Sequence, residues 1–177
     1  MMRKVASIYF LIIFFSACNY KGSEKLEQLK NKITTANDTF EAIEPSLVTK
    51  AANGYNSNLE LVKKCVDSAE NEFSQAMNNY KGMKKSTPDF FNSYSITKEN
   101  LSNEISQLEM LATDLQNNFI PADSIPLYLN LEDKNIDMIF SDLHELTLLY
   151  NFIIETNDSL YPYVKTFAEK YCKKNEK

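Results

Sequence analysis

Between Pro126 and Asn157, six carboxylates (Glu132, Asp133, Asp137, Asp142, Glu145 and Glu155) are opposed by Lys134 alone, and the chain's one histidine, His144, lies among them. Asp133 and Asp137 stand four apart, so on a helix they share a face and could offer oxygen ligands to a divalent cation. The spacing lacks the loop geometry that calcium sites use, and a histidine metal pair needs a second histidine. The expectation is therefore an acidic surface that is solvated or docks on a basic partner, with Asp133, Asp137, Asp142 and Glu145 as candidate contact residues. His144 is expected at the surface, and no catalytic residue, metal or cofactor is assigned.

Cysteines supply the second chemistry. Met1–Lys4 carries two cations, Val5–Phe15 is almost wholly apolar, and Phe15-Ser16-Ala17-Cys18 follows. The apolar run is about half the ~20 residues a spanning helix needs, which predicts an export signal. Small residues directly before a cysteine resemble the bacterial lipobox, with Phe15 where leucine is usual. That resemblance implies cleavage after residue 17 and diacylglycerol on the Cys18 thiol, and two or more acyl chains anchor stably. Asn19 is not the aspartate that retains such proteins in the inner membrane, so the resemblance implies the outer membrane, facing the periplasm, with cell-surface exposure as the alternative. Residues 1–17 are read as signal, 18–22 as lipidated tether and 23–177 as one domain. Cys65 and Cys172 remain, and in an oxidising compartment they can pair. Two separate half-buried thiols are the default expectation, pairing the alternative.

Composition narrows the classes further. The chain carries net charge −5, and its only arginine is Arg3, inside the signal. Removing Arg3 and Lys4 makes the remainder more acidic, which excludes nucleic-acid binding built on cation clusters and bidentate guanidinium contacts. Three glycines and no tryptophan leave no Gly-rich phosphate loop.

Apolar spacing predicts the elements that must position these groups. Leu26, Leu29, Ile33, Ala36, Phe40 and Ile43 step at 3 and 4 and predict a leading helix, less buried than the rest and ending at Glu44-Pro45. Val48, Ala52, Tyr55, Leu59, Val62, Val66, Ala69, Phe73, Ala76 and Tyr80 predict one long helix capped by Gly82. Leu101, Ile105, Leu108, Ala112, Leu115 and Phe119 predict a third, started by a Ser95 or Thr97 cap and stopped at Pro121. Ile136, Ile139, Leu143, Leu146, Tyr150 and Ile153 predict a fourth, which Pro162 either kinks or divides after caps at Asn157-Asp158-Ser159. Lys84 to Ile96 is left as a connection, where Phe90, Phe91 and Tyr94 either fold over the bundle's end or form a binding surface. No strand alternation is sustained. The fold class is all-α, an antiparallel bundle of about four long helices with coiled-coil-like seams. Apart from Asn157, no polar residue is expected to point inward from a seam.

The stretch KAANGYNSNLELVKKCVDSAENEFSQAMNNYKG at residues 50–82, with the lipobox and the helical remainder, resembles the YiiG-like lipoproteins, a helical family without an assigned activity. The resemblance covers about a fifth of the chain and implies a helical bundle on the outer membrane, with no functional residue carried across. The expected function is a membrane-anchored, non-enzymatic module contacting an envelope protein, with a homodimer open. The alternatives are an inhibitor or immunity lipoprotein capturing a basic toxin or lytic enzyme, and a bundle binding a small ligand.

Overall fold

The computed structural model describes residues 22–68 and 70–175; the residues read as signal, Cys18 and most of those read as tether lie outside them. Among the described residues the chain is all-α, with four helices and no strand: α1 (Ser23–Glu41), α2 (Pro45–Cys65), α3 (Asn71–Gln116) and α4 (Ile125–Asn175). They build three columns rather than a bundle of four long helices. α1 and α2 do not pack on each other; both pack on α3 and α4. Partners of α1 and α2 on α4 advance from Asp133 beside Lys25 to Cys172 beside Cys65, so this first column runs parallel to α4. Phe40 meets Tyr94 and Tyr55 meets Tyr80, so it runs antiparallel to α3. At 1.5 Å per residue α3 and α4 are about 70 and 75 Å long, which makes the molecule a rod.

The break between α1 and α2 follows from Pro45. Its ring disfavours helical backbone at the preceding residue, and Glu44 is extended (φ −102°, ψ 96°) with Pro45 opening α2. The leading helix is fully docked, contrary to the expectation of a loosely held one: Leu26, Leu29, Ile33, Ala36 and Phe40 are all buried. The predicted long helix through Tyr80 also divides. Val66 and Glu70 are extended, and the column turns there from α2 into α3, so burial does not follow one narrow seam along a single helix. Gly82 is interior to α3 and caps nothing, and Ser95 and Thr97 are likewise mid-helix.

The Lys84–Ile96 connection is helix. Met83, Thr87, Phe90, Thr97, Leu101, Glu104, Leu108, Leu111 and Leu115 are all buried, one register running unbroken through it. Pro88 is tolerated because it is exposed and its missing N–H is replaced. The carbonyl it would have satisfied belongs to Lys84, and the Thr87 hydroxyl donates to that oxygen at 2.9 Å. Thr87→Val should therefore leave the carbonyl unpaired under a buried methyl and lower stability by about 1 to 2 kcal/mol, read from urea unfolding midpoints. Pro162 is equally exposed, and α4 is continuous through it, with no cap at Asn157-Asp158-Ser159.

Asn118 closes α3. It is the only non-glycine described residue with positive φ (55°), and Asn tolerates that region. Its N–H donates to Leu115 O at 3.3 Å, and the N–H of Phe119 to Asp114 O at 2.9 Å, the Schellman pattern. The apolar residue after such a turn usually folds back on the helix. Phe119 instead stands 73% exposed.

Candidate functional site

The predicted acidic face is divided by the fold. Asp133 accepts hydrogen bonds from Lys25 and, at 2.6 Å, from Lys32; Asp137 accepts from Lys32 at 3.2 Å. Hydrogen bonding to Lys25 and then Lys32 holds the Asp133 carboxyl below the usual carboxylate range, and Asp133 raises Lys32 in return. These two aspartates thus clip α1 to α4. Asp142 is exposed and accepts from Asn100 Nδ2 at 3.4 Å, while Glu145 and His144 are exposed.

The predicted aromatic cluster is interior. Phe90 is fully buried, with Tyr94 and Tyr150 at centroid distances of 5.9 and 6.1 Å, and Tyr94 stacks on Phe40 at 4.6 Å. Phe91 lies edge-on to Phe90 and is partly exposed. The group seals α1, α3 and α4 together at mid-rod instead of covering a loop.

Cys65 and Cys172 form a disulfide, where separate thiols were the default expectation. The cysteines close the last turns of α2 and α4, with Cα atoms 4.7 Å apart. One layer inward, Gly54 lets α2 approach α4: a Cβ there would meet the Tyr161 ring at 3.1 Å. Asn58 Nδ2 donates to Tyr161 O at 2.9 Å, and the Tyr80 hydroxyl donates to Asn157 Oδ1 at 3.1 Å. Burial pushes the Tyr80 hydroxyl up to about 12, so it stays a donor at any physiological pH. Asn157 does point inward as expected; this is a satisfied structural layer.

Other polar residues also point inward, contrary to the sequence reading, and two of them are carboxylates. Glu104 of α3 is 6% exposed and Glu132 of α4 2% exposed. They occupy the core stripes outright, Glu104 between Leu101 and Leu108, Glu132 between Leu129 and Ile136. Burial first, then the charge and hydrogen bonding of Glu132, push the Glu104 carboxyl up to about 7. Asn135 Nδ2 donates to Glu132 Oε2 at 3.1 Å. Oε1 of Glu104 has no hydrogen-bond partner. Glu104 lines a cleft of about 520 Å³ between α3 and α4, shared with Asn100, Asn103, Gln107, Asn135, Ser141 and Asp142. Its walls are rich in amides, and no cationic side chain reaches it.

A second surface lies on the outer face of α4. Leu127, Leu131, Met138, Leu148, Phe152 and Tyr163 are exposed and, at 100° per residue, fall within about one third of the helix circumference. Among the described residues no helix is long and apolar enough to cross a membrane, and no three acidic, histidine or cysteine side chains converge as a metal site. Comparison with known proteins finds no matching family model, curated protein or solved structure.

Proposed function

We propose that this chain is a lipid-anchored, non-enzymatic helical module of a bacterial envelope, acylated at Cys18 and resting its anchored end on the bilayer. The reading is supported by what surrounds the point where the chain enters the bundle. Gly22 packs so closely on Ile125 and Leu129 that a Cβ would come within 2.9 and 2.7 Å of them. At the same end Phe119, Leu127 and Leu131 stand 73, 71 and 52% exposed. Four residue steps lead from Cys18 to Gly22, a reach of about 14 Å at full extension, so acyl chains on Cys18 would hold these side chains at headgroup depth. Each apolar side chain withdrawn from water there contributes about 1 to 2 kcal/mol. The Cys65–Cys172 bond supports export, because disulfides persist in oxidising compartments. The outer membrane, its periplasmic side and the YiiG-like resemblance belong to the same proposal. The remaining apolar stripe, Met138 to Tyr163, is the face offered to a helical envelope protein or a second copy, and there a coiled-coil-like pairing would form.

The test has two parts. Metabolic labelling with an alkyne fatty acid is expected to mark the wild type and not Cys18→Ala; an unmarked wild type removes the anchor. In proteoliposomes, a fluorophore at position 127 is expected to be quenched by lipid-borne spin labels and one at position 166 to be untouched. Equal quenching at both positions, or none at 127 in acylated protein, overturns the bilayer-seated orientation.

A further inference from the structure

Buried polar atoms are nearly always hydrogen-bonded, and a buried carboxyl oxygen without a partner, on a side chain that lines a cleft, calls for one. Oε1 of Glu104 is such an atom, on a side chain 94% withdrawn from solvent and facing a second buried carboxyl. The bundle could have filled this place with leucine, as it does at Leu101 and Leu108 on either side. The α1 lysines that reach α4, Lys25 and Lys32, are engaged by Asp133 and Asp137. The cleft thus combines buried negative charge, a row of amides and no internal cation.

We propose that the cleft binds an organic cation carrying a primary ammonium group, received by Glu104, with the buried Glu132 adding negative charge behind it, and surrounded by the amides of Asn100, Asn103, Gln107 and Asn135. The donor set favours this class. An ammonium has three N–H donors, which match Oε1 of Glu104 and the amide carbonyls that line the cleft. Charge-assisted bonds of this kind are about twice as strong as neutral ones. A hard divalent cation instead asks for about six to eight converging oxygens, usually several of them carboxylate. Here the lining carboxylates are Glu104 and Asp142, and the rest of the wall is amide, hydroxyl and apolar. The volume exceeds what an ammonium head needs and leaves room for a methylene chain along Met138 and Ile139. The head could belong to a free diamine or to a lysine side chain of a peptide, and the chemistry at Glu104 is the same.

Isothermal titration of the mature, disulfide-bonded protein separates these cases. The probes are 1,4-diaminobutane, Nα-acetyl-lysine methylamide, their fully N-methylated counterparts and calcium alone. Saturable one-to-one binding of the diamine identifies a free amine, and of the lysine derivative a peptide side chain. Either is expected to weaken at least about tenfold on N-methylation, which keeps the charge and removes the donors. Glu104→Gln is expected to weaken binding comparably, while Asp133→Asn leaves it unchanged. No saturable binding of either amine, equal binding of the methylated forms, or saturable uptake of calcium alone each overturns the proposal. The methylation comparison uses only wild-type protein, so it stands even if Glu104→Gln fails to fold.

Discussion

Reducing the Cys65–Cys172 bond, or replacing both residues by alanine, is expected to lower the unfolding free energy by about 4 kcal/mol. The closed loop spans 107 residues, and in the chain-entropy account a loop of about 100 residues gives close to 5 kcal/mol, less whatever structure the reduced unfolded chain retains. The position of the bond adds a local effect. It joins the last residue of α2 to the end of α4, just before the extended backbone at Val66, where the helical ladder of the first column stops. Beyond that break Phe73 stacks on Phe167 at 3.8 Å and Phe167 on Tyr171 at 4.8 Å, so the far end of the rod has a second clamp. Urea unfolding with and without reductant checks both claims. A lower midpoint with earlier amide exchange confined to α2 and the last turns of α4 is the expected result. An unchanged midpoint would mean that the aromatic clamp alone holds that end.

The legible parts of this fold were those where chemistry and periodicity agree locally. Pro45 forces its own break, and the stripes Leu26 to Ile43 and Ile136 to Ile153 are apolar at nearly every inward position. The reading failed where a polar residue held an inward position or a breaker was repaired. Between Tyr80 and Leu101 the register continues through Met83, Thr87, Phe90, Tyr94 and Thr97, but Pro88 signals an end; its compensation is a single hydroxyl on the preceding residue. Ile105 was taken as the inward residue of its turn because it is apolar. It is half-buried, and the fully inward position belongs to Glu104, three after Leu101 and four before Leu108. The carboxyl pair itself was closer to legible than either residue alone: Glu104 and Glu132 each lie fourteen residues from Asn118, about which α3 folds back on α4. Only the turn's exact centre was missing. The break at Val66–Glu70 had no such signal, since Val66 continues the apolar step perfectly well. The stop lies directly after Cys65, which is bonded across to α4.

Raising the pH from 5 to 7 is expected to destabilise the wild-type protein, the reverse of the usual carboxylate effect. Glu104 is pushed from its ordinary 4.5 up to about 7 by burial beside Glu132, with Asn135 lowering it slightly. In that window the folded chain holds a proton that the unfolded chain releases, so stability is greatest below the unfolded value, falls as pH rises, and levels off above 7. The whole shift corresponds to at most about 3 kcal/mol, shared by the pair rather than owned by one residue. The other shifted groups act outside the window. Asp133 is depressed by Lys25 and Lys32, so its contribution is lost only as pH falls below the ordinary carboxylate range, and that of Lys32 only as pH climbs past 10.5. Glu104→Gln keeps the shape and removes the ionisation. Its unfolding midpoint in urea is expected to stay level from pH 5 to 7 and to exceed that of the wild type above 7. A level wild-type profile would show the two carboxyls ionising independently. If the sloping profile appears, a bound amine should flatten it, because a cation at the pair's floor compensates the charge that the departing proton exposes.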